Sequence, residues 1–106
     1  MEFDTYTLVV LRRPPDAPGL PEDELEALQQ QHLAHLRSLR ERGALLVAGP
    51  FDDQPDESWR GLCLYAVGVD EARRLAEEDP SVRAGRLAVD VLTWSVPRGT
   101  LRFGER

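Results

Sequence analysis

The chain has 106 residues, 42% of them hydrophobic and 30% charged, which suits one folded domain around one main core and leaves no room for two. Its net charge of −6 argues against a nucleic-acid partner, because phosphate neutralisation needs clustered cations. The single cysteine, Cys63, excludes an intramolecular disulfide and a cysteine-based zinc site, and no apolar run approaches the roughly 18 residues of a membrane span. With no charged-then-apolar leader, the expected location is cytoplasmic, without a membrane partner. All 13 cations are arginine, scattered apart from Arg37, Arg40, Arg42 and the Arg73–Arg74 pair, and a high-GC genome accounts for the missing lysine.

Residues Thr5 to Arg12 are rich in β-branched and aromatic types. The run Leu8-Val9-Val10-Leu11 predicts a central strand covered on both faces. Pro14, Pro15, Pro18 and Gly19 then mark a loop. Pro21 suits the first position of a helix, Glu22, Asp23 and Glu24 complement its dipole, and Arg40, Arg42 and Gly43 signal its end. Ala44 to Ala48 reads as a short strand closed by Gly49-Pro50, followed by a polar connection from Asp52 to Trp59. A strand is expected over Gly61 to Val69, then a helix over Glu71 to Glu78 capped by Asp70 and ended by Asp79-Pro80. Ser81 to Gly85 is a turn with room for one helical turn, and Leu87 to Val96 is the last strand, apolar on both faces. The domain is expected over 1–96 and a tail over 97–106, with a short extended piece at Leu101 and Phe103.

The order β-α-β-β-α-β makes two split βαβ units around one antiparallel sheet, with both helices on one face: a ferredoxin-like α+β fold. That arrangement leaves the other sheet face bare. Because the first and last strands are apolar on both sides, a second copy of the chain is the simplest cover, and a homodimer is expected.

On the first helix, at about 100° per residue, Leu25, Leu28, Leu36 and Leu39 form one stripe with His32 in its middle and His35 on its flank. A histidine among leucines needs partners for its ring nitrogens, since each buried unpaired group costs roughly 1–3 kcal/mol. A core histidine tied to a backbone carbonyl meets that need. So does a pocket histidine oriented by a carboxylate as a general base or acid, and the helix alone does not choose. Asp79 is a candidate carboxylate, because at the end of the second helix its charge opposes the dipole; a plain Asp-Pro turn is the alternative. Gly49-Pro50 either ends a strand or brings bare backbone to the same cleft. His32 and His35 lack a nearby carboxylate to complete a metal set, Cys63 reads as core, and Trp59 and Arg60 either rim a pocket or form a loop tip.

The segment His32 to Leu36, followed by Gly43-Ala44-Leu45-Leu46-Val47-Ala48-Gly49-Pro50-Phe51, resembles the YCII-related motif of a helical histidine, a glycine, an apolar strand and a Gly-Pro turn. Asp70-Glu71-Ala72 resembles that family's second helix start, Glu78 to Gly85 its Asp-Pro signature, and Trp94 a frequent aromatic of the last strand. The resemblance spans roughly residues 5 to 96. One departure is Ser81, where the family usually carries an aromatic, which leaves a wider or more polar pocket wall. The resemblance implies a dimeric α+β barrel and a His–Asp catalytic pair at His32 and Asp79, with Gly49 and Pro50 beside a small-molecule substrate. It implies acid–base chemistry on small cyclic or aromatic compounds, including elimination of HCl from a chlorinated ring, with no metal or organic cofactor. The alternative is a non-catalytic dimeric module, binding a ligand or a protein, in which His32 and Asp79 form a structural hydrogen bond.

Overall fold

A computed structural model describes residues 1–104. Strand β1 (Phe3–Arg12) leads into helix α1 (Glu22–Glu41), strands β2 (Leu45–Pro50) and β3 (Trp59–Tyr65), helices α2 (Val69–Glu77) and α3 (Pro80–Arg83), and strand β4 (Ala88–Pro97). The sheet order is β2-β3-β1-β4, and every neighbouring pair is antiparallel. This is the expected ferredoxin-like α+β arrangement.

Register assigns the two faces. Val9 lies opposite Cys63 on β3 and Val91 on β4, and these side chains point toward the helices. There Val9, Leu39, Leu45, Cys63, Tyr65 and Ala72 form a core that solvent hardly reaches. Leu8 lies opposite Leu64 and Leu92, and Tyr6 opposite Trp94, on the other face. That face carries no helix, and Val47, Leu92 and Trp94 keep 46%, 46% and 40% of their surface exposed.

The long helix begins and ends where its caps dictate. Pro21 stands one residue before it, at the cap, with three acids in the first turn and Arg40 in the last. Gly43 adopts a φ of 79°. Its N–H donates to the Arg40 carbonyl at 3.0 Å, while the Ala44 N–H donates to that of Leu39 at 3.1 Å, a Schellman closure that favours glycine.

Several boundaries differ from expectation. Strand β3 ends at Tyr65 rather than Val69, because Ala66 N–H turns to the Ala44 carbonyl at 2.8 Å and the Thr7 hydroxyl takes the Val67 carbonyl at 2.7 Å. Helix α2 accordingly starts earlier, with Gly68 as its cap and Asp70 already inside the first turn. Asp79 does not close α2, a role that falls to Glu78; it caps the next turn, α3. In the tail no strand forms among the described residues. Phe103 instead packs edge-on against Tyr6 with ring centroids 5.8 Å apart, and residues 105–106 lie outside the described part. No described helix is long and apolar enough to cross a membrane.

Backbone approach between β2 and β3 requires Gly61, since a Cβ there would meet the Gly49 carbonyl oxygen at 2.9 Å. Gly61→Ala is therefore expected to destabilise the protein by about 1–3 kcal/mol in urea unfolding. Gly19→Ala, with nothing within 4 Å, should stay within about 0.5 kcal/mol of the parent.

Candidate active site

A cleft of about 290 Å³ opens where the middle of α1 meets the ends of β1, β2 and β3. Helical spacing brings Gln29, His32, Leu33 and Leu36 to one face of α1, and all four line it. The backbone of Gly49-Pro50 and the bare Cα of Gly61 leave room opposite them, and Arg13 and Arg60 supply charge to the wall. The stripe expected on α1 is only partly sunk. His32 and Leu39 are buried, whereas Leu25, Leu28 and Leu36 are half-buried.

His32 meets Asp79. Its Nδ1 lies 2.6 Å from Asp79 Oδ2, and the two residues retain 8% and 2% exposure. An ionised carboxylate only accepts, so Nδ1–H donates to it, and in the neutral form of the ring Nε2 is the acceptor nitrogen. No buried side-chain nitrogen or oxygen among the described residues lacks a hydrogen bond, so Nε2 is the nitrogen that the cleft's solvent reaches.

Local sequence explains how Asp79 is aimed. Its Oδ1 accepts the Ser81 N–H at 2.8 Å, and Pro80 begins the short helix α3 without needing an N–H partner. Helix α3 packs on α1, which carries the second carboxylate oxygen to His32. Ser81, at the family's aromatic position, is buried, and its N–H holds the carboxylate.

The other histidine has a separate task. His35 Nε2–H donates to the Leu75 carbonyl at 2.9 Å and ties α1 to α2. The two rings thus have different partners, and among the described residues no group of three or more His, Cys, Asp or Glu side chains could hold a metal ion.

Cys63 lines the cleft as well as the core. Burial, with the Asp79 charge adding to it, pushes its thiol up to about 12, so it is inert as a nucleophile. Tyr65 is raised from its ordinary value for the same first reason. A larger hollow of about 420 Å³ lies on the open sheet face, lined by Leu8, Leu62, Leu64, Trp94, Leu101 and Phe103 among others. It contains no titratable side chain and therefore no means of moving a proton.

Sequence reasoning singled out His32, Asp79, Gly49 and Pro50, and the structure brings all four to or directly behind one cleft; of Trp59 and Arg60, only Arg60 lines it, while Trp59 lies under the Arg12 guanidinium. It missed Arg13, Gln29 and Gly61. Only Gly61 left a signal, as a glycine at the head of the expected apolar strand.

The description of the YCII-related domain matches residues 6–95. No functionally curated protein matches the sequence. Among solved structures, the chain is similar to a 5-chloro-2-hydroxyhydroquinone dehydrochlorinase from Burkholderia phenoliruptrix in complex with 2,5-dihydroxybenzoquinone. The TM-score is 0.57 at 25% identity, over 84% of this chain and 92% of that one.

The buried thiol sets a pH dependence. Its folded-state value of about 12 lies above the ordinary 9.0, so the unfolded chain ionises first. Stability from this group is intact below about 9 and is lost as pH rises toward 12, and Tyr65 acts in the same direction. Urea midpoints should therefore fall across that alkaline window, less so in Cys63→Ala than in the parent. At about pH 8, thiol alkylation should run roughly 10³-fold slower in the folded protein than in urea.

Proposed function

The chain belongs to the YCII-related domain family, and on that footing we propose that it is an enzyme that moves protons on a small cyclic or aromatic substrate, with His32 as the base and Asp79 positioning it. The observation that carries this reading is the 2.6 Å His32–Asp79 bond beneath an open cleft. Asp79 holds the tautomer with Nε2 unprotonated, and it stabilises the imidazolium that forms when Nε2 takes a proton. The substrate then either expels a leaving group or takes the proton back at another position. Gly49 and Pro50 present backbone without bulky side chains, so a flat ring can approach the imidazole. The solved dehydrochlorinase supports elimination of HCl as the first reaction to try.

The proposed assembly is a homodimer that covers the open sheet face. Its support is the exposed apolar set Val47, Leu92 and Trp94 on a face with no helix. Leu92→Arg should convert the protein to a monomer in light scattering, and an unchanged mass relative to the parent would refute that face as the interface.

One observation favours a second reading, a purely structural pair: Asp79 is 2% exposed and also caps α3. The two readings separate in one experiment, chloride release from 5-chloro-2-hydroxyhydroquinone by the parent, His32→Gln and Asp79→Asn. As an enzyme, the parent turns this compound over and each variant loses about 10²–10⁴-fold in kcat/KM, with a displaced pH profile in Asp79→Asn. As a structural pair, both variants melt lower while any turnover is unchanged.

A further inference from the structure

The arginines of the His32 cleft, like several others on the molecule, stand outside its ion pairs. Arg12 pairs with Asp90, Arg74 with Glu71 and Glu78, and Arg98 with Glu2 and Asp4. Arg13, Arg60 and Arg86 have no carboxylate within ion-pair distance among the described residues, in a chain where 19 acids outnumber 13 cations. Neutral carbonyls hold them instead. Arg13 Nε–H donates to the Arg86 carbonyl at 2.8 Å, Arg86 Nη1 to that of Pro18 at 2.9 Å, and Arg60 Nη1 to that of Glu57 at 3.2 Å.

Two of the three, Arg13 and Arg60, line the cleft with His32. Burial first, and then the charges of Arg86 and Arg60, hold Arg13 below its usual pKa, as expected for a cation kept among cations. Such a cluster is relieved by an anion, and the Nη groups of Arg13 are left unused by its carbonyl bond. The acid bonded to His32, Asp79, is not part of the cleft wall. Much of the remaining wall is apolar, from Leu11, Leu33, Leu36, Leu62 and Leu87.

We propose that this cleft selects an organic anion, a compact apolar body bearing one oxyanion, with Arg13 and Arg60 holding the oxyanion and the leucines holding the body beside His32. The inference rests on the proposed function for the location of the chemistry and adds the substrate's charge. Guanidinium groups suit a carboxylate or other planar oxyanion because paired N–H donors match its geometry.

Calorimetric titration of the full chain with benzoate, benzamide and inorganic phosphate separates charge from shape. Benzoate carries both ring and charge, benzamide the ring alone, and phosphate the charge alone. Benzoate is expected to bind at least about tenfold more tightly than either. Arg13→Gln and Arg60→Gln should each weaken benzoate about three- to tenfold and leave benzamide unchanged. Equal binding of benzoate and benzamide overturns the proposal, as does phosphate binding as tightly as benzoate. So does an undiminished preference in both arginine variants, or no benzoate binding at millimolar concentration. Arg60 is exposed, so Arg60→Gln keeps the test decisive should Arg13→Gln fail to fold without its bond to Arg86. Binding is read without turnover. Retained turnover in His32→Gln removes the proton-transfer reading alone, whereas a lost benzoate preference with His32-dependent turnover removes anion selection alone.

Discussion

The His32–Asp79 bond is the constraint around which this small fold is arranged. A buried polar group left unpaired costs roughly 1–3 kcal/mol, so each of the two favours the other's position. The bond fixes the rotation of α1, because His32 must face α3, and with it the face that presents Gln29, Leu33 and Leu36 to the cleft. It also fixes α3, since the other oxygen of the same carboxylate holds the Ser81 N–H. One carboxylate thus organises a helix start and a tautomer together. Its place before Pro80, at the beginning of a helical turn, is one where negative charge is favoured.

The sheet divides two kinds of apolar surface. On one side Val9, Cys63, Tyr65 and Val91 meet the helices and form the core. On the other, Leu8, Leu64, Leu92 and Trp94 form an apolar layer with the tail's Leu101 and Phe103 beside it. A domain of this length buries a limited fraction of its surface, which makes an uncovered apolar sheet face a strong candidate for association. The edge strand β2 belongs to both sides, because Ala48, Gly49 and Pro50 border the cleft and the open face alike. A partner seated on that face would therefore lie close to the cleft mouth.

Charge is distributed against the average of the chain. The molecule is acidic overall, and several of its surface arginines are neutralised by neighbouring acids. The cleft keeps two arginines supported by carbonyls alone, beside a histidine whose tautomer is held from behind. Local charge therefore says more about the cleft's ligand than net charge does.

Much of the architecture is legible in the linear order of residues, because local signals agree with the final structure. The apolar run of β1, the proline loop, the acids and Gly43 that bracket α1, and the two largely apolar faces of β4 each carry their own physical reason. His32 is visible for the same reason, as a polar interruption in a leucine stripe, and the family motif points to Asp79. Local reading fails where a distant group decides. The end of β3 depends on the Thr7 hydroxyl, sixty residues away, and Asp79 changes from a helix end to a helix start because Ser81 supplies its N–H within α3. Arg13, Gln29 and Gly61 become neighbours of His32 only through sheet register and the seating of α1. The sequence by itself determined the element order, the core and the histidine that needed a partner, because these follow from periodicity and caps. Only the tertiary structure decided which side chains share the cleft, since that depends on contacts between residues far apart in the chain.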